Sequence, residues 1–275
     1  MCWAAGSSPA PFGPAEPARP RLTPPWGTGT TPTMSLHLAT DGDVAVLTLD
    51  RPPVNAIDLE MVRALTERLS DLARADPKGL VLAGAGKAFS AGVDTRAFGS
   101  YGPADLAEMI LGITRMITAL YSLPCPVVTA VGGHAMGGGF VLMLAGDVHI
   151  ATDDPAARLG LQEAQAGIPF PAGPLEVIRA ELPAPLLRRL TLTSAAVSTA
   201  ELHALGIIDS LHHREALPEA AIARVHDLAG QPGFRVVKEQ IRRPVVERLE
   251  ALVATGRDPL IAFLSAPKSQ VNAPP

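Results

Sequence analysis

At 275 residues the chain is long enough for one large domain with a full core, and at 47% hydrophobic and 18% charged residues it is too apolar for a disordered protein. Its 23 Lys+Arg against 27 Asp+Glu give a net charge of -4 with no basic run of five, which argues against nucleic acid as a partner. Apolar runs are broken too often for a membrane bundle, and Cys2 and Cys125, the only two cysteines, support neither a disulfide framework nor a cysteine zinc site. A soluble, cytoplasmic protein fits these terms.

Residues 1–33 hold eight of the 27 prolines, four glycines, Trp3 and Trp26 and only three charges. Such a stretch predicts a disordered tail. It has no basic segment followed by an apolar one, as a secretory signal would, and is too poor in arginine for a transit peptide. Patterned sequence opens at Met34, so a misassigned start explains the tail; a linker or adaptor arm is the alternative.

Val44 to Leu49 reads as a strand stopped by Arg51-Pro52-Pro53. Asp58 then caps a helix whose stripe runs Val62, Leu65, Leu69, Leu72 and which ends near Asp76-Pro77. Gly79 to Gly84 and Val127 to Val131 are short apolar runs bounded by Gly or Pro, as buried strands are. A helix from about Ala104 to Ser122 lies between them, a second runs from about Gly138 to Ala145, and Val148 to Ala151 is another strand. Alternation of this kind predicts an α/β fold. Beyond Ser194 strand signals vanish, and Ala200 to Leu205, Ala216 to Ala229, Val236 to Ala254 and Pro259 to Leu264 predict helices packed on the core or on a neighbouring subunit. The division expected is a tail to 33, an α/β core over 34–210 and a helical segment over 211–275.

Familiar nucleotide motifs fail. Lys87 follows Gly86, but Val81 stands where a phosphate loop needs its first glycine and Ala88 where it needs Ser or Thr. Gly84-Ala85-Gly86 and Gly132 to Gly139 both miss the dinucleotide spacing, so neither a nicotinamide nor a flavin is expected. Ala88 likewise replaces the first glycine of a nucleophile elbow around Ser90. What remains is two backbone-rich turns, each after a buried strand: Phe89 to Asp94, and Met136 to Gly139 opening a helix. Small residues let main-chain N–H groups approach a ligand, so two such turns together can hold an oxyanion. A triple glycine alone reads more simply as a helix packing close to a sheet.

The elements Arg51-Pro52-Pro53-Val54-Asn55-Ala56, Ala88 to Asp94, Pro126 to Gly133, Gly137-Gly138-Gly139 and Ala200 to Asp209 occur in the order found in the crotonase, or enoyl-CoA hydratase/isomerase, family, which the chain resembles from about Leu36 onward. The resemblance implies a crotonase-like spiral of ββα units with a C-terminal helical segment, homotrimers or hexamers, and an acyl-CoA thioester substrate that brings its own coenzyme A, with no further cofactor and no metal. It implies that the amides of Ala91 and Gly138 grip the thioester oxygen. Asn55, Ala56, Ser90, Gly92, Val93, Asp94, Gly137 and Val141 would line the binding cleft, and Arg96 would reach a phosphate.

Hydratases similar to this chain flank the substrate with two glutamates. Here Val141 occupies the first position, and the second aligns with Glu163 in Leu159-Gly160-Leu161-Gln162-Glu163. Two residues of slack between Gly139 and Glu163 fall at the turn Asp153-Asp154-Pro155. Adding water divides naturally between two carboxylates, whereas moving a double bond from C3 to C2 needs only one, which takes a proton from C2 and returns it at C4. The segment also resembles single-glutamate Δ3,Δ2-enoyl-CoA isomerases, so isomerase is the expectation, with a hydratase or a non-catalytic acyl-CoA binder as alternatives. Leu159, Leu161, Ile168 and Phe170 are expected to desolvate Glu163 and raise its pKa. Asp94 and Asp147 are read as turn caps, and His134 as a packed or cleft-lining imidazole without metal partners.

Overall fold

The computed structural model describes residues 36–265; the proline-rich tail expected over 1–33 lies outside the described residues. An antiparallel hairpin opens the fold, β1 (Leu36–Asp41) on β2 (Val44–Leu49). The sequence pattern found β2 and not β1, because Leu36 is the only fully buried residue of β1 and the strand offers almost no apolar face. In α1 (Leu59–Ala75) the Asp58 carboxylate accepts the Met61 N–H at 2.8 Å, and Val62, Leu65, Leu69 and Leu72 bury as expected.

Three turns of a spiral follow, each a long strand, a short strand and a helical section. The first is β3 (Gly79–Gly84), β4 (Ala88–Ser90), α2 (Thr95–Ser100) and α3 (Pro103–Tyr121). Next come β5 (Val127–Val131), β6 (His134–Met136) and α4 (Gly138–Leu144). The third is β7 (Val148–Thr152) and β8 (Leu159–Gly160), then α5 (Glu163–Ala166), α6 (Ala172–Glu181) and α7 (Ala184–Leu192). The long strands join one sheet and the short ones a second, which is the expected spiral of ββα units. Segments 98–105 and 170–174 are largely helical, since α2, α3 and α6 run into them.

Strands do continue beyond Ser194: β9 (Ala196–Val197) pairs with β8, and after α8 (Thr199–Ala204) the strand β10 (Ser210–His212) pairs in parallel with β7. Runs of two and three residues are too short to show a period, and tertiary pairing alone makes them strands. The large sheet is ordered β1-β2-β3-β5-β7-β10, so its last strand reaches across the division drawn at residue 210.

Side chains alternate across that sheet. Val81, Ala83, Val128, Ala130, Val148 and Ile150 face α9 (Leu217–Ala229), which covers them with Leu217, Ala221, Val225 and Leu228. Leu80, Leu82, Val127 and Val131 face the larger core with α1, α3 and α4. The chain closes with α10 (Phe234–Thr255), packed on α3 and α6, and α11 (Pro259–Ser265). Each helix expected beyond Ser194 is present. No helix among the described residues is long and apolar enough to cross a membrane.

Candidate active site

The small sheet builds the site. β4 pairs in parallel with β6 and β6 with β8, so three neighbouring strands end at one edge with their chains about 5 Å apart. The residues that leave those ends are Ala91 to Asp94, Gly137-Gly138 and Leu161 to Glu163. Positions far apart in sequence are thereby brought side by side.

Glu163 opens α5, and its Oε1 lies 3.3 Å from the point a β-carbon on Gly137 would occupy. Its Oε2 is buried without a hydrogen-bond partner. Burial raises its pKa above the usual carboxylate value, partly offset by its own N–H and that of Gln162. Leu159 and Leu161 are fully buried, while Ile168 and Phe170 are half-buried. A desolvated carboxylate with an unpartnered oxygen is the kind of group that general-base chemistry uses.

The glycines of the second turn do different work. Gly137 has φ +50° and Gly139 passes so close to β4 that an added β-carbon would stand 2.3 Å from the Ser90 carbonyl oxygen. Gly138 has room, its nearest neighbour being Ile57 Cδ1 at 3.6 Å from such a carbon. As the first residue of α4 it has an N–H with no intrahelical carbonyl to bind. Val141 is buried in the core at the position of the missing carboxylate.

The first turn departs from expectation. The Ala91 N–H donates to the Val54 carbonyl at 2.9 Å and the Gly92 N–H to Ser90 Oγ at 3.1 Å, so neither is offered to a ligand. Val93 forms a parallel bridge with Ile57 in which Ile57 N–H donates to the Gly92 carbonyl and Asp94 N–H to the Ile57 carbonyl. That pattern turns the Val93 N–H away from Ile57. The Val93 nitrogen lies 3.8 Å from a β-carbon position on Gly138. Gly92, with φ +82°, makes this approach possible, because a side chain there would strike the Met136 carbonyl oxygen at 2.6 Å. The amide that lies near Gly138 is therefore that of Val93, whereas the Ala91 amide expected there is bound to Val54. Sequence spacing gave no sign of this, since the bridge to Ile57 sets the direction of each amide.

Two residues placed in the cleft are instead buried supports. Asn55, at φ +53°, donates from Nδ2 to the carbonyls of Ala85 (2.8 Å), Ala88 (2.9 Å) and Phe89 (3.2 Å) and accepts the Arg51 N–H. Ser90 Oγ donates to the Asn55 carbonyl at 2.7 Å. Both side chains are sealed from solvent with their bonding groups engaged, so neither offers a polar atom to the cleft. Asn55→Ala strands several buried carbonyls and is expected to lower stability by at least about 2 kcal/mol, measured by chemical denaturation. An unchanged midpoint would show that these bonds do not hold the loop.

Ala56 is half-buried and Arg96 exposed. Asp94 caps α2 as expected, accepting from the Ala97 and Arg96 amides; the Ala97 N–H, then the Arg51 guanidinium at 2.9 Å, hold its carboxyl below the ordinary value. Arg51 also reaches Asp58 at 3.0 Å, a link between α1 and α2 that sequence reasoning missed. Asp147, expected to cap a turn, instead binds groups distant in sequence: its Oδ2 accepts the Val127 N–H at 2.7 Å, and its carboxylate pairs with Lys238 and Arg242. His134 is exposed, and its Nδ1 accepts the Arg158 N–H at 3.1 Å. No cluster of three potential metal ligands occurs among the described residues.

Fold and site together define an α/β spiral protein that sets one desolvated carboxylate beside the two turns that carry Val93 and Gly138. The sequence model of the enoyl-CoA hydratase/isomerase family matches residues 39–270. The chain is 34% identical to the carnitinyl-CoA dehydratase of Salmonella typhi over 190 residues, 68% of this chain and 71% of that protein. Among solved structures, a Mycobacterium tuberculosis protein described as a probable enoyl-CoA hydratase superposes with a TM-score of 0.74 at 25% identity, over 80% of this chain and 94% of its own. A second structure of that protein, described as an enoyl-CoA isomerase, gives 0.73 at 24% identity over 81% and 97%. The chain belongs to the enoyl-CoA hydratase/isomerase family.

Proposed function

We propose that this protein is an enoyl-CoA isomerase that converts a 3-enoyl-CoA to the conjugated 2-enoyl-CoA with Glu163 as its single proton carrier. Removing a proton from C2 places negative charge on the thioester oxygen, where the Val93 and Gly138 amides stabilise the enolate. Glu163, then protonated, returns the proton at C4 and is regenerated. The observation that carries this reading is the half-buried Glu163 with its unpartnered Oε2 beside Gly137 and Gly138, facing an α4 that offers Val141 in place of a carboxylate. Asp94 does not replace it, because its oxygens cap α2 and bind Arg51.

Arg96, exposed two residues beyond Asp94, is proposed to meet a phosphate of coenzyme A, and Ala56 and Asp94 to border the cleft. Assembly as a trimer or hexamer is proposed through the C-terminal helices, since α10 leaves Val236, Val237 and Ile241 exposed. A hydratase or dehydratase is the second reading, favoured by the similarity to the Salmonella dehydratase.

Incubation of the purified protein with a 3-enoyl-CoA and, separately, a 2-enoyl-CoA separates the readings by ultraviolet absorbance. Conjugation appearing from the 3-enoyl substrate supports the isomerase. Conjugation lost from the 2-enoyl substrate, with none gained from the other, overturns it in favour of hydration. Coenzyme A thioester binding without either change leaves a binder.

A further inference from the structure

We propose that Arg242, on the C-terminal helix α10, is a positioning residue for the enolate-binding amide of Gly138, an inference that rests on the reading of Gly138 given above. Its guanidinium is buried at the opposite end of α4 from that amide. Nη1 donates to the carbonyls of Tyr121 and Ala145, both at 3.0 Å, and Nη2 to the carbonyl of Gly146. Tyr121 is the last residue of α3, and Ala145 is the cap residue of α4. One side chain thus takes up carbonyls left without partners at the ends of two helices. The planar fork spreads its donors over two nitrogens in a fixed geometry, which the point-like ammonium of lysine does not reproduce.

The seat of this fork is fixed in turn. Asp147 Oδ1 lies 3.1 Å from Arg242 Nη2, and Asp147 Oδ2 is 2.7 Å from Lys238 Nζ, which also donates to the Cys125 carbonyl. The Tyr121 ring lies beneath the guanidinium at 4.0 Å and donates its hydroxyl to Glu181. At its other end α4 is wedged against β4, where Gly139 meets the Ser90 carbonyl. A helix of seven residues, about 10 Å long, held at both ends has little freedom to slide or tilt. Freed at the Arg242 end, it shifts the Gly138 N–H relative to Val93 and Glu163. A displacement of about 1 Å in such a group costs up to roughly 100-fold in rate.

Arg242→Lys keeps the charge and loses the fork. It is expected to lower kcat about 10- to 100-fold with KM changed by no more than about twofold, because the Gly138 hydrogen bond strengthens as charge develops on the thioester oxygen and so weighs more on turnover than on binding. Lys238→Met breaks the same ion cluster but leaves every carbonyl contact of Arg242 in place, and is expected to keep kcat. A role confined to stability would lower the melting temperature of both variants and leave kcat per folded molecule unchanged in both, which would overturn the proposal. If Arg242→Lys melts below the assay temperature, Arg242→Gln, which still offers two N–H donors, is read in the same way. If neither folds, Arg242 is a folding determinant and the proposal falls. The ratio is taken on whichever thioester the unaltered protein turns over, so an unchanged ratio counts against Arg242 alone. An unaltered protein that turns over neither thioester overturns the enzymatic reading, and this inference with it.

Discussion

Glu163→Gln is expected to abolish isomerisation of a 3-enoyl-CoA while leaving thioester binding nearly intact. The amide keeps the shape of the side chain but accepts no proton, and a general base of this kind contributes about 10²- to 10⁴-fold. The same residue sets the pH profile. Because burial raises its pKa, the acid limb of kcat should lie above the usual carboxylate range, with activity rising as Glu163 ionises. The sign for stability is opposite. A carboxyl whose pKa is raised by folding stabilises the fold fully below its unfolded value and loses that contribution as pH rises through the folded value. Near neutral pH the variant should therefore melt no lower than the parent, and the difference between them should shrink as the pH falls. Thermal melts across that range, with ultraviolet assays beside them, check both. Undiminished turnover in Glu163→Gln would remove Glu163 from the chemistry.

Gly138→Pro is expected to cost 10²- to 10³-fold in kcat, roughly 2.7–4 kcal/mol, the usual effect of deleting one oxyanion donor. Proline is suited to the first helical position, where its missing N–H breaks no intrahelical bond. Gly138→Ala keeps the N–H and places its β-carbon in ordinary contact with Ile57 Cδ1 at 3.6 Å, so its loss should be far smaller. Equal losses in the two variants would mean that crowding, not the hydrogen bond, is responsible. Gly139→Ala makes a further comparison: its β-carbon would collide with the Ser90 carbonyl, and the expected result is a lowered melting temperature.

Where a segment's own side chains decide its structure, the sequence was legible. The stripe of α1 with its Asp58 cap and the buried runs of β2, β3, β5 and β7 all form where their apolar pattern places them. Glu163 was legible as the one carboxylate at its place in the motif, and burial raises its pKa as its apolar neighbours suggested. The strands β4, β6, β8 and β9, two or three residues each, carried too little pattern to be read. They are the elements that assemble the site.

By itself, then, the sequence determined which stretches bury, where the two backbone-rich turns fall, and that Glu163 stands at the carboxylate position of the motif the chain resembles. Tertiary structure decided the rest. The bridge between Ile57 and Val93 chose the amide that faces Gly138, the contacts of Asn55 and Ser90 made them supports rather than lining, and α10 brought Arg242 to the end of α4 from 97 residues along the chain. The physical reason is common to all three. Burial follows from a residue's own apolar surface, but the direction of an N–H and the partner of a buried charge depend on which distant backbone arrives beside them.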